Sequence, residues 1–151
     1  MNKYNYTLLE LPPKVEYALV ALLEIASQTD NKKPVTTGEI TTKHPIPERY
    51  LEQILAVLRR GGLLKSIRGA KGGYTLAREP RNISLLEIVR LIEGEQKVVD
   101  NSEPLTVEMI VIRESWAKVD SSSQSLLDNY SLEELCRLRD LKTNQGIMFY
   151  I

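Results

Sequence analysis

A chain of 151 residues, 42% hydrophobic and 26% charged, can bury a sizeable core and has the composition of an ordinary globular protein. Its 20 basic residues balance 20 acidic ones, so any affinity for nucleic acid has to come from a local patch rather than from net charge. No apolar run approaches the roughly 20 residues that span a bilayer, and the single cysteine, Cys136, excludes an internal disulfide and fits a reducing cytoplasm.

The N-terminal MNKYNYTLLEL has no sustained apolar core and no small-residue cleavage site, so no signal peptide is expected. Residues 1–12 read as partly extended. The spacing then predicts a helix from about Pro13 to Ser27, with Val15, Ala18, Leu19, Leu22, Ile25 and Ala26 on its core face. Residues 28–35 read as a polar loop. Thr36 and Glu39 form a capping box for a short helix that Pro45 ends. Pro47 suits the first turn of the next helix, since its missing N–H would be unpaired there anyway. Leu51, Ile54, Leu55 and Leu58 give that helix one apolar face. At about 100° per residue, Arg49, Gln53, Ala56 and Arg60 fall opposite, with Glu52 beside them.

Gly61-Gly62 stops this helix. The runs LLKSI and GYTLA follow, hinged at RGAKGG, and predict a hairpin with Arg68 and Lys71 at its tip. Gly69, Gly72 and Gly73 allow a tight turn and a close backbone approach. A helix presenting Arg, Glu and Gln, followed by a basic hairpin, is the layout of a winged helix-turn-helix. Such a module puts one helix in the DNA major groove and the wing against the backbone or minor groove. From Ile46 to Arg78 seven cations stand against two anions. Most charge runs are simply solvated surface; here the same charges sit on a leucine-backed helix and a hairpin tip.

Ser84 and Glu87 cap a further helix that Gly94 closes. The expected fold is mainly α with a small β wing. The divisions are a winged helix-turn-helix domain over 1–94, a linker over 95–103, and a long helix with a C-terminal helix and tail over 104–151. Leu105, Met109, Ile112, Trp116, Val119, Leu126 and Tyr130 recur at alternating spacings of four and three, with Ser123 at the one remaining position. That 3.5-residue repeat predicts a helix over Pro104–Asp128 packed lengthwise on another helix. The stripe either folds back on its own domain or forms a two-fold dimer seam. The seam is favoured because DNA readers match operator symmetry with their own. Ser131 and Glu134 cap a last short helix, SLEELCRLRDLK, and the apolar GIMFYI is expected to pack as a strand or tail.

Three segments, YALVALLEIA (Tyr17–Ala26), IPERYLEQILAVLRRGGLLKSIRGAKGGYTLAR (Ile46–Arg78) and ISLLEIVRLIEG (Ile83–Gly94), together resemble the Rrf-type winged-helix transcription regulators of bacteria. With the long helix the resemblance extends over most of the chain. It implies a homodimer bound to double-stranded DNA at a palindromic operator. Arg49, Glu52 and Gln53 would read bases in the major groove, with Tyr50 nearby and Arg60 on the same basic face. The wing residues Arg68 and Lys71 would reach the minor groove. The chemistry agrees: Gln pairs with adenine, Arg with guanine, and Glu accepts from the cytosine amine. Tyr50 and Gln53 have an alternative role, packing on the first helix.

One departure concerns sensing. Cluster-binding members of this family carry three cysteines before the long helix, whereas Gly94–Pro104 reads GEQKVVDNSEP. Iron–sulfur clusters are held chiefly by thiolates, so no cluster of that kind, and no other cofactor or metal, is expected. The acidic Glu95, Asp100 and Glu103 read as solvated. Cys136, in line with Leu132 and Leu135, reads as a small buried hydrophobe before a redox switch. His44 reads as a turn residue or phosphate contact. The regulatory signal would then be a small molecule, a partner protein, or redox change at Cys136; the alternative is an iron–sulfur or redox-sensing regulator of the same family that uses atypical ligands. Catalysis is not expected, because a single His and a single Cys lie far apart in sequence and RGAKGG lacks the spacing of a nucleotide-phosphate loop. A winged helix that docks on protein is the other alternative, but it would not need the basic face of Arg49 and Arg60.

Overall fold

The computed structural model describes residues 7–94 and 103–150, the last four of these by backbone alone. The chain forms two compact units that divide between Ala77 and Arg78.

The first unit begins with α1, Pro13–Ala26. Its buried face is Val15, Ala18, Ala21, Leu22 and Ile25. Leu19 and Ala26, on one edge of that face, are only half-buried, and the buried face extends instead to Ala21 on the opposite edge. α2, Thr37–Lys43, starts as its capping residues require, with the hydroxyl of Thr36 accepting from the Glu39 N–H at 3.1 Å. α3, Glu48–Arg60, follows Pro47 and ends at Gly61, after which Gly62 takes a φ of +81°. Its Leu51, Ile54, Leu55 and Leu58 are completely buried, and it packs on both α1 and α2.

β1 (Leu64–Ile67) and β2 (Gly73–Leu76) pair antiparallel with Leu64 opposite Leu76 and Ile67 opposite Gly73. The hairpin is also tied to the rest of the unit. Val35 and Tyr74 exchange backbone hydrogen bonds of 2.9 and 2.8 Å, forming an isolated antiparallel bridge. The end of the expected 28–35 loop is therefore a buried third edge of the sheet, one residue before the cap of α2. The bridge dictates the residue at position 73. Gly73 has a φ of +144°, and a Cβ there would lie 2.7 Å from the carbonyl oxygen of Val35.

The second unit opens with a short 3-10 helix, Pro80–Asn82, which the sequence pattern did not announce. α4, Leu85–Glu93, is capped by Ser84 and closed by Gly94 at a φ of +76°. α5 spans Val107–Asn129. It starts later than the hydrophobic stripe does, because the Thr106 hydroxyl accepts from the Met109 N–H at 3.2 Å and makes Thr106 the cap. Leu105 therefore precedes the helix instead of lying within it, and Tyr130 is the C-cap at the other end. The linker expected over 95–103 falls, apart from Glu103, outside the described residues.

α6 runs from Leu132 to Tyr150, which corrects both the short helix and the strand or tail expected for GIMFYI. Gly146 costs about 1 kcal/mol inside a helix but does not by itself end one. The starts of α4 and α6 are joined. Leu85 N–H donates to the Tyr130 carbonyl and Leu132 N–H to the Ile83 carbonyl, both at 2.8 Å, bridging Ser84 to Ser131. Each serine caps its own helix, accepting from Glu87 or Glu134 at 3.2 Å. Ile83, Leu86, Ile88, Ile92 and Leu132 are buried around this junction.

The glycines of the first unit separate by these constraints. Gly73→Ala is expected to lower stability by about 1–3 kcal/mol, through its positive φ and the clash with Val35. Gly38→Ala in α2, where the new Cβ meets nothing closer than the Thr36 hydroxyl at 3.9 Å, should instead raise it by about 0.4–1 kcal/mol. Urea midpoints of the two variants check the opposite signs.

Candidate nucleic-acid interface

Burial of the leucine face turns the other side of α3 to solvent, and Arg49, Glu52, Gln53 and Arg60 are all exposed. Tyr50 is half-buried, its ring meeting that of Tyr17 edge-on at 5.7 Å and 88°. It thus occupies the packing role that the sequence left as an alternative, and T-shaped pairs of this kind are worth about 0.5–1.5 kcal/mol beyond the area they bury.

On the wing, the Gly72 N–H donates to the Gly69 carbonyl at 3.0 Å and closes the turn. A Cβ on Gly72 would run into the Ile67 carbonyl oxygen, so the tight turn needs glycine there. Arg68 and Lys71 project from this turn and are exposed, as is Ile67 at the end of β1. The recognition face and the wing belong to the same unit. Among the described residues, none of Arg49, Arg60, Arg68 and Lys71 is held in an ion pair, whereas Lys43, Arg78, Arg81, Arg137 and Arg139 are. Free cations on one unit are what an anionic polymer would recruit.

Sequence reasoning missed a polar contact behind this face. Glu24, near the end of α1, accepts from His44 Nε2 at 2.9 Å and from Lys43 Nζ at 3.3 Å. Burial by itself would raise the Glu24 pKa. The hydrogen bonds and charges of His44 and Lys43 outweigh it and hold the carboxyl below its ordinary value. The available signal was Glu24 itself, a charge among the apolar residues of LLEIA.

In the second unit, α5 has no buried residue. Met109, Ile112 and Val119 are exposed, Trp116 is 64% exposed and Leu126 71%; Leu105, before the helix, is half-buried. Cys136 on α6 is half-buried, and that burial pushes its thiol pKa up, which disfavours the reactive thiolate.

The donor set for a metal is poor. Among the described residues no group of three His, Cys, Asp or Glu side chains is placed to hold an ion. His44 is engaged by Glu24 in the first unit while Cys136 lies in the second. The undescribed stretch 95–102 contains neither Cys nor His. These residues do not fit a thiolate-held iron–sulfur cluster.

Against known proteins, the profile of the Rrf2 family, described as "Iron-dependent Transcriptional regulator", matches residues 11–138. The chain belongs to the Rrf2 family of transcriptional regulators. It is 34% identical over 146 residues to the HTH-type transcriptional regulator CymR of Bacillus subtilis, covering 95% of this chain and all of that one. The solved structure of CymR, named the global cysteine regulator of B. subtilis, superposes with a TM-score of 0.72 over 87% of this chain and 98% of its own. The structure of T. potens IscR gives the same TM-score at 36% identity, over 94% of this chain and 97% of its own. The winged-helix fold and the resemblance read from the three motifs are therefore right. The protein is a DNA-binding transcriptional regulator of the Rrf2 family, which is not a family of enzymes. Among the described residues no helix is long and apolar enough to cross a membrane.

Proposed function

We propose that the protein binds a palindromic operator as a homodimer, with α3 in the major groove and the wing in the minor groove, and regulates transcription without an iron–sulfur cluster. The observation that carries this reading is the exposed Arg49, Glu52, Gln53 face of α3, set in one unit with the unpaired Arg68 and Lys71 of the wing. Arg49, Glu52 and Gln53 supply base recognition. Arg60, Arg68 and Lys71 supply phosphate attraction and position the protein on the duplex. Tyr50 contributes by holding α3 on Tyr17.

Base reading and phosphate attraction separate experimentally. The probes are a duplex enriched from a random-sequence pool by the unaltered protein and a random duplex of the same length. Gln53→Ala should cost about 1–3 kcal/mol on the enriched duplex and little on the random one, while Lys71→Ala should weaken both alike and flatten the salt slope by about one. Equal losses on both duplexes for Gln53→Ala would remove that residue from the base-reading set.

The second copy is assigned to the stripe of Leu105, Met109, Ile112, Trp116, Val119 and Leu126. The fold-back alternative requires these side chains to be covered within one chain, and all but Leu105 are exposed. Trp116, half-way along a helix about 35 Å long, is the anchor, since buried aromatics dominate such interfaces. Trp116→Ala and Ile112→Asp should shift the protein toward monomer in sedimentation and weaken binding to a palindromic duplex. A protein that stayed dimeric in both variants would place the interface elsewhere.

The cluster-free part of the reading follows from the poor donor set, and it leaves a small molecule, a partner protein or oxidation of Cys136 as the signal. Protein purified without oxygen should be colourless, carry no stoichiometric iron, and keep its DNA affinity in Cys136→Ser. Stoichiometric iron and sulfide that disappear in that variant would reinstate a cluster.

A further inference from the structure

We propose that Glu24 is a positioning residue for DNA reading: from α1 it anchors the turn that leads into the recognition helix, and so fixes how α3 presents its exposed face. The inference rests on the assignment of α3 to base reading. Lys43 is the last residue of α2 and His44 its C-cap, and Glu24 holds both, one on each carboxylate oxygen. The chain from there to α3 is His44-Pro45-Ile46-Pro47. Its two prolines have no N–H to donate. The backbone contacts within it are local: His44 N–H to the Ile40 carbonyl, and Ile46 N–H to the His44 carbonyl. Ile46 is buried, and among the described residues the side-chain hydrogen bonds that tie this turn to another element are those of the Glu24 carboxylate.

A second contact lies on the same helix. Tyr17, seven residues before Glu24, holds Tyr50 in the first turn of α3. Seven residues are about two helical turns, or roughly 10 Å of rigid rod. α1 therefore grips the segment 43–50 at two points that far apart, and two separated points fix a tilt where one leaves it free. A carboxylate suits the far point because it accepts two charge-assisted hydrogen bonds at once.

The same carboxylate is an anion on the DNA-binding unit, paired with two basic side chains. Its removal therefore acts in opposite directions on two kinds of binding. Base contacts depend on geometry and should weaken. Attraction to phosphates depends on charge and should hold or strengthen as Lys43 is released. Loss of stability alone would lower both together.

The experiment measures affinity for the enriched and the random duplex, side by side, in Glu24→Ala, Glu24→Gln and Gln53→Ala. Glu24→Ala should lower affinity for the enriched duplex about threefold to tenfold, as expected for a partly exposed charged hydrogen bond, with affinity for the random duplex unchanged or higher. Glu24→Gln keeps an acceptor for His44 and should recover part of the loss. It also keeps the test valid if the alanine variant does not fold. His44 is the chain's one histidine, so its imidazole proton resonances should shift in Glu24→Ala. An unchanged ratio of the two affinities in both Glu24 variants, with Gln53→Ala still lowering it, overturns the positioning role. An unchanged ratio in Gln53→Ala as well overturns the base-reading assignment of α3, and this inference with it.

Discussion

Four side chains on one face of α3, Leu51, Ile54, Leu55 and Leu58, are completely withdrawn from solvent, and the arrangement of the first unit depends on that burial. Each contributes about 1.5–3 kcal/mol as area removed from water, far more than any exposed ion pair in the molecule can. A helix so anchored has no freedom to rotate about its axis. Where Arg49, Glu52 and Gln53 point is thus settled by residues on the other side. The exposed face can vary in sequence without loss of the fold, which is what a regulator needs if related proteins are to read different operators on one scaffold.

The wing is subject to a different constraint. Two short strands alone would be marginal in water. The exchange of hydrogen bonds between Val35 and Tyr74 ties the hairpin to the residue just before the Thr36 cap, so the start of α2 and the wing share one backbone anchor. Gly73 is the cost of that closeness: the approach of Val35 leaves no room for a Cβ. Arg68 and Lys71 on the wing tip are in this way referred to the same core as the exposed Arg49, Glu52 and Gln53 of α3, to which the proposed function assigns the base reading.

Much of this was legible in the residues, and what was not has identifiable causes. Caps are short-range chemistry, and Thr36, Ser84 and Ser131 each start a helix as their spacing to Glu indicates. Apolar periodicity located α1 and α3, which each bury one face, and α5, whose stripe repeats every 3.5 residues. The Val35–Tyr74 bridge was hidden because it joins residues 39 positions apart through backbone atoms, which carry no side-chain signature. The Glu24–His44 contact was hidden for the same reason of distance along the chain. α5 was drawn from Pro104, three residues too early, because its stripe begins at Leu105, ahead of the Thr106 cap. α6 was drawn too short because the apolar GIMFYI was read as a strand or tail, whereas the helix continues through Gly146 to Tyr150, a glycine costing a helix interior only about 1 kcal/mol. At the site, the exposed α3 residues and wing tip were found from patterning, while the contacts that hold them required the fold.

The family description speaks of iron, and this chain has one half-buried cysteine whose environment suppresses its thiolate. The two are reconciled by where each property resides. On the proposed function, DNA reading is built into the first unit, from the leucine stripe, the capped α2 and the tied wing, none of which involves a metal ligand. Thiolate ligands in cluster-binding members lie in the stretch before the long helix, where this chain carries EQKVVDNSEP. Replacing them leaves every buried contact described for α1, α2 and α3 intact. A scaffold in which recognition is held by one core and sensing by a separate segment, as the proposed function has it, can exchange its signal at little thermodynamic expense, and the similarity of this chain to both CymR and IscR at comparable identity agrees with such a division.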